Sequence, residues 1–296
     1  MDDYHRLFFR SKSFQRWVNA RLTEKYGPNA RFVTNIQTEL TDGIFLINLL
    51  HALWGVPNPH FILNPFSYEQ KLENVEMAYV MAAHAGMSRI NEWIPPELIV
   101  SGDVGATLNL IWTILMYSDF KRFLPEQPVE ASITAMTNDV TRQMTQWMKR
   151  RLETYTNVDT VTNMSDSFRS GHALCALVHF MRNDSIPIAK IDPNRAADNI
   201  ALALDKARTV LKLPVLLDAE DLLMPGGPDP LCMLSLLAEF LKYYRLKWGR
   251  PGFDPKGPQP GMGGPQYPGA MVGGQYLPVN AQVITLGPSG IQKVGT

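Results

Sequence analysis

The stretch 40-LTDGIFLINLLHALWG-55 reads as a buried helix with an awkward beginning. Leu46, Leu49, Leu50 and Leu53 recur at helical spacing and form one apolar stripe. Yet the helix opens on Thr41-Asp42-Gly43, a weak helix-forming start. The oddity returns as 168-FRSGHALCALVHFMRN-183, where Leu174, Leu177, Val178 and Met181 each follow their counterparts by 128 residues.

Two more stretches repeat in the same order. 14-FQRWVNARL-22 answers to 144-MTQWMKRRL-152, and 71-KLENVEMAYVMAAHAGM-87 answers to 196-AADNIALALDKARTVLKL-213, pairing Asn74 with Asn199. Small drifts in offset are what loop insertions produce. One helical module of somewhat over 100 residues is therefore written twice. The odd helix start then has one cause in both copies. A short polar residue caps the first amides. The glycine lets another backbone cross where a Cβ would clash.

The ordered set resembles the calponin homology domain. It comprises a Trp-bearing first helix, the Asp-Gly helix, Lys71-Leu-Glu-Asn-Val75, and 99-IVSGDVGATLNLIWTILMY-117. Residues 12–120 are similar to the first type of that domain. Residues 140–245, with Trp147, Gly171, Asn199, 216-LLDAEDLL-223 and 226-GGPDPLCMLSLLAEFLKYY-244, are similar to the second. That tandem resembles the actin-binding head of α-actinin, spectrin, filamin and fimbrin. The expected architecture is all-α: a first domain over 1–124, a linker over 125–139, a second domain over 140–249 and a disordered Pro/Gly-rich tail over 250–296. The tail holds 11 Gly and 8 Pro in 47 residues, too few core-forming side chains to fold around.

The resemblance implies filamentous actin as the partner and names three segments. On the first helix, Lys12, Arg16, Arg21 and Lys25 lie off the stripe of Phe14, Trp17, Val18 and Leu22, and form a basic face for an acidic filament. On the last helix of the first module, Val104, Thr107, Leu110, Ile114, Met116 and Tyr117 lie around a helix that is apolar on most sides. Such a helix is either fully buried or offers a patch to a partner. Lys149, Arg150 and Arg151 are a third actin segment or a site for phosphoinositide headgroups, though three consecutive cations cannot share one helix face. Two departures stand out. Phe168-Arg-Ser-Gly replaces the usual Trp-x-Asp-Gly. Gly105 and Met116-Tyr117 sit where the family usually carries Lys or Arg.

Composition bounds the alternatives. Lys+Arg and Asp+Glu both number 28, so no overall field draws in nucleic acid. No apolar run is long enough for a transmembrane segment. Cys175 and Cys232 are too few for a disulfide framework or a zinc site and read as reduced core thiols of a cytoplasmic protein, which the resemblance further implies is cytoskeletal. Phosphate loops, nucleophile elbows and His-Glu-x-x-His are absent, so no enzyme and no cofactor is expected. Asp218, Glu220 and Asp221 read as a helix cap, and His172 and His179 as structural. Two rival readings remain: a microtubule or ciliary protein, and a protein- or lipid-binding scaffold that has lost actin binding. The first is disfavoured by 11 Lys+Arg against 12 Asp+Glu in residues 1–124. The tail reads as a tether with an unknown partner.

Overall fold

Gly43 and Asn74 meet at the centre of the first module, and its helices are arranged around that contact. The computed structural model describes residues 3–248 except 29, 57–59, 125, 156–157, 159, 189–190, 193 and 226, and in the tail residues 271–272, 275–276, 285–287 and 290–292. The first module comprises α1 (Asp3–Tyr26), α2 (Ile44–Trp54), α3 (Tyr68–His84), α4 (Ile90–Trp93), α5 (Pro96–Val100) and α6 (Val104–Leu115). A π-helical segment, Met116–Phe120, carries α6 into the short α7 (Lys121–Phe123). The second module comprises α8 (Ile133–Leu152), a 3-10 turn (Asp166–Phe168), α9 (His172–Met181), α10 (Ala196–Thr209), α11 (Ala219–Leu223) and α12 (Pro230–Trp248).

The repeated glycine does what its repetition implies. Gly43 has φ 76° and Gly171 has φ 71°, both left-handed. A Cβ on Gly43 would stand 2.7 Å from the backbone C of Asn74 and N of Val75, and one on Gly171 would stand 2.7 Å from the N of Ile200. The residue before each glycine supplies the cap: Ile44 N donates to Asp42 Oδ1 at 3.0 Å, and His172 N to Ser170 Oγ at 3.3 Å.

The paired asparagines clamp the crossing. Asn74 Nδ2 donates to the carbonyls of Asp42 (3.0 Å) and Ile62 (2.9 Å), and its Oδ1 accepts from Ile62 N at 2.8 Å. Asn199 Nδ2 donates to the carbonyls of Ser170 (3.0 Å) and Asp192 (2.8 Å). Each buried amide ties a helix start to a distant loop, which a shorter or apolar side chain cannot do.

Around these crossings the cores fill with aromatics. Trp17, Phe14, Trp112 and Phe120 are fully buried, with Phe14 stacked on Trp112 at 6.1 Å. In the second module Trp147 meets Tyr244 edge-on at 5.9 Å, and Phe168 is buried where the resemblance leads one to expect Trp. The stretch expected as a linker, 125–139, contains the first turns of α8, because Ser132 Oγ accepts from Ala135 N at 3.0 Å and starts the helix early. In the tail, Met271–Val272 pairs with Gln275–Tyr276, and Thr285–Gly287 with Gly290–Gln292, as two antiparallel ribbons. The other tail residues, including Tyr267, lie outside the described residues, as does the test of their expected disorder. No helix among the described residues is long and apolar enough to cross a membrane.

Candidate binding surface

Four cations of α1, Arg10, Lys12, Arg16 and Arg21, are held by carboxylates of the same chain. Arg10 reaches Asp229 with Nε at 3.1 Å from both carboxylate oxygens and Nη2 at 3.0 Å. Lys12 Nζ lies 2.7 Å from Asp218 and 2.8 Å from Asp221. Arg16 grips Asp218 with two parallel hydrogen bonds, 3.0 and 2.9 Å. Arg21 binds Glu239, and it also lies 3.1 Å from Glu24, which Lys242 meets at 2.9 Å. Every one of these pairs except Arg21–Glu24 joins the first module to the second.

Three of the pairings have a regular geometry. Arg10–Asp229, Arg21–Glu239 and Glu24–Lys242 are separated by 219, 218 and 218 residues. A constant offset over fourteen residues means that α1 and α12 run parallel and in register for about 21 Å at 1.5 Å per residue. Lys12 and Arg16 leave this ladder to hold α11, where Asp218 and Asp221 also form a capping box at the helix start. The acidic cluster expected as a cap is thus a cap and a docking face together.

Charge pairing shifts the groups as electrostatics requires. Hydrogen bonds from Arg16 and Lys12, with their charges, outweigh partial burial and hold the Asp218 carboxyl down at about 2. Lys12 is pulled down by burial but raised overall by Asp218 and Asp221. Burial opposes the charge on Arg21, yet Glu239, Asp119 and Glu24 keep it firmly protonated. Burial pushes Glu239 up against the pull of Arg21.

The expectation that Arg21 is a solvent-facing cation is corrected: it is 3% exposed. It stands one helical turn beyond Trp17, with its guanidinium 5.7 Å from that ring, so it lies beside the core stripe. Lys25 is exposed at the end of α1.

The α6 segment is enclosed rather than displayed. Val104 is half-buried, and Thr107, Leu110, Ile114, Met116 and Tyr117 are buried. The second module and the chain leading into it supply part of the cover. Trp112 Nε1 donates to Thr137 Oγ1 of α8 at 2.8 Å, whose hydroxyl lies 3.7 Å from Met116 Sδ. Tyr117 OH donates to Glu130 at 2.8 Å, and Lys121 pairs with the same carboxylate at 2.6 Å. The π segment was not foreseen. It lies where Asp119 accepts from Trp17 Nε1 at 2.9 Å.

The third segment divides. Lys149 and Arg150 are exposed, and Lys149 borders a cleft shared with Glu153, Tyr155 and Thr160. Arg151 is turned inward, its guanidinium 4.6 Å from the Tyr244 ring, which corrects its placement as a surface cation. His179 Nδ1 meets Tyr155 OH at 2.8 Å, and among the described residues no cluster of His, Cys, Asp or Glu is arranged to hold a metal ion.

The residues that sequence reasoning missed are the partners: Arg10, Glu24, Asp229, Glu239 and Lys242. Their only sequence signal is the constant offset, which is meaningful once α1 and α12 are known to touch.

The calponin homology (CH) domain family model matches residues 10–119 and 138–246. The chain is similar to alpha-actinin-like protein 1 of Schizosaccharomyces pombe, 29% identical over 78% of this chain and 35% of that protein. It is also similar to human alpha-actinin-3, 30% identical over 77% of this chain and 23% of that one. It thus spans about a quarter to a third of these curated relatives. Among solved structures it shares its fold with the actin-crosslinking core of Schizosaccharomyces pombe fimbrin, at TM-score 0.61 and 16% identity, covering 80% of this chain and 48% of that one.

Proposed function

The chain belongs to the calponin homology domain family, with two such domains in tandem, and on that premise we propose that it binds filamentous actin without catalysing a reaction. The observation that carries the reading is the pairing of α1 with the second module. The cations suited to an acidic filament, Lys12 and Arg16, are held by carboxylates of the same chain. Asp218 and Asp221 therefore occupy them much as a filament surface would. Binding through α1 requires the modules to part, and the affinity is set by the fraction of heads that are open.

The likeness to the alpha-actinins and to the fimbrin core supports actin as the partner. One part of the seam is modest and partly exposed, the Arg16 and Asp218 side chains being 34% and 38% exposed, while Arg21–Glu239 is its buried anchor. Lys149 and Arg150, exposed at the end of α8, are a secondary candidate for anionic lipid headgroups.

High-speed co-sedimentation with actin filaments tests the reading, with microtubules as a parallel arm. Saturable pelleting with actin and none with microtubules is expected. Pelleting with microtubules alone, or with neither polymer even for a variant with the seam broken, would overturn it.

A further inference from the structure

Cys232 is a nucleophile buried on the seam itself. It is the third residue of α12 and is 1% exposed. Its sequence distance from Ser13 matches the offset of the ladder, and the thiol lies within the influence of Arg10 and Ser13 of α1 as well as Asp229 just ahead of α12. Ser13 is fully buried at the same level, and the Cys232 thiol is the group its hydroxyl faces. The rungs on either side are ion pairs, while this one is a small hydroxyl facing a small thiol. A hydroxyl–thiol contact is weaker than the ion pairs around it, so the seam is closed but less tightly bonded there.

We propose that Cys232 is a conditional modification site, sealed while the two modules are together and open to a low-molecular-weight disulfide of the glutathione class when they part. The proposal rests on the reading that the head opens. In the closed head, burial first and the Asp229 carboxylate second push the thiol up and keep it inert. On opening, water reaches the thiol. The burial that pushed it up is then lifted, while Asp229 stays beside it and keeps the amides of Leu231 and Cys232 occupied.

The exchange is balanced. The Cys232 thiol gives its proton to solvent, and its sulfur attacks one sulfur of the added disulfide. The new mixed S–S bond forms as the old one breaks, and the released glutathione thiolate takes up a proton. A tripeptide on Cys232 has no room opposite the fully buried Ser13. The modified head therefore cannot reclose, and a brief opening becomes a lasting one.

Cys175 is the internal control. It is also buried, but in α9 within the second module, where its Sγ contacts the carbonyl of Asn199 at 3.2 Å. Parting the modules leaves it covered, whereas unfolding exposes both thiols.

The test is the rate at which each cysteine of the full chain is alkylated by N-ethylmaleimide, and thiolated by glutathione disulfide, read peptide by peptide by mass spectrometry. Asp218→Arg and, separately, Lys242→Glu loosen the seam at surface positions, so neither depends on the other folding well. When opening is fast, labelling follows the open fraction, and either variant is expected to speed Cys232 by about tenfold with Cys175 unchanged. Equal acceleration of both cysteines, or no acceleration of Cys232 in either variant, overturns the assignment. Actin pelleting is a separate arm. A head that gains the Cys232 adduct yet never binds filaments sinks the actin reading and leaves the thiol assignment standing.

Discussion

Arg16 and Asp218 face each other as a matched fork, Nη1 to Oδ1 at 3.0 Å and Nη2 to Oδ2 at 2.9 Å, across the boundary between the two domains. Both are partly exposed, so the pair stabilises the closed head by only about 1 kcal/mol. Asp218→Arg also sets a new cation against Lys12 and Arg16. The open fraction should rise about fivefold to tenfold, and actin affinity with it. Arg16→Glu removes a proposed filament contact while releasing the same seam, so its effect on binding should be smaller than either change alone. The swapped pair Arg16→Glu with Asp218→Arg should restore the closed form. Small-angle scattering and co-sedimentation on the four proteins complete the cycle; equal binding by all four would remove this pair from control of the head.

Arg21 is a different case, although it lies only five residues further along α1. Arg21→Glu would bury a carboxylate against Glu239 and Asp119, with no cation left between them. Breaking a buried pair in this way costs about 3–5 kcal/mol. For a chain of this size that lowers Tm by roughly 10 °C. A melting temperature within about 2 °C of the parent would show that the Arg21–Glu239 contact is dispensable.

The repeated glycine can be tested in each module separately. Valine at Gly43 or at Gly171 meets backbone 2.7 Å away and must adopt a left-handed φ that a β-branched residue disfavours. Each substitution should cost about 3 kcal/mol or more, well above the roughly 1 kcal/mol scale of helix propensity. Chemical denaturation followed by circular dichroism reads the loss. A change near zero at either site would mean that the backbone crossing tolerates a side chain.

The contrast between the glycines and the seam shows what the sequence made legible. The crossing at Gly43 is written locally, in one glycine, one capping residue and one asparagine, and it is written twice, so repetition exposed it. The face of Arg21 was legible as well: i to i+4 spacing places it beside Trp17, and its charge concealed the fact. The ion pairs of the seam were not legible, because partners some 200 residues apart leave no periodic trace. Nor was the π segment, since one extra residue in a helical turn leaves no mark in a helix that is apolar on most sides. The covering of α6 depends on how two modules dock, which no pattern within one module encodes.

The seam should be insensitive to pH near neutrality and sensitive to acid. Asp218 is held at about 2 in the closed head, against an ordinary 3.8. A lowered carboxylate stabilises the closed form fully above its free value and loses that contribution as pH falls through the bound one. Lys12, raised by its partners, contributes fully below its ordinary 10.5 and loses that only above it. The part of the closed fraction that Asp218 and Lys12 control should therefore be flat from about pH 5 to 9 and fall between about pH 4 and 2. Asp218→Asn should remove the step that this carboxylate contributes. Small-angle scattering against pH measures it, and a transition near pH 7 would implicate other groups.

The tail offers the last test, because it separates binding from bundling. Crosslinking two filaments needs two binding sites in one assembly, and the two domains described here form a single head. Residues 250–296 carry three cations, Arg250, Lys256 and Lys293, against one anion, Asp254, which is too little charge to hold a filament firmly. On their Pro and Gly content we propose that they act as a solvated, flexible linker rather than as a filament contact. Residues 1–249 alone should then bind filaments with the affinity of the whole chain and leave them unbundled. Any bundling by the whole chain should vanish when the tail is removed. High-speed sedimentation gives the affinity of each protein, and low-speed sedimentation gives the bundling. Strong bundling by residues 1–249 would mean that the head carries a second filament site or pairs with another head, and the closed seam between α1 and α12 would be the first place to look for the exchange.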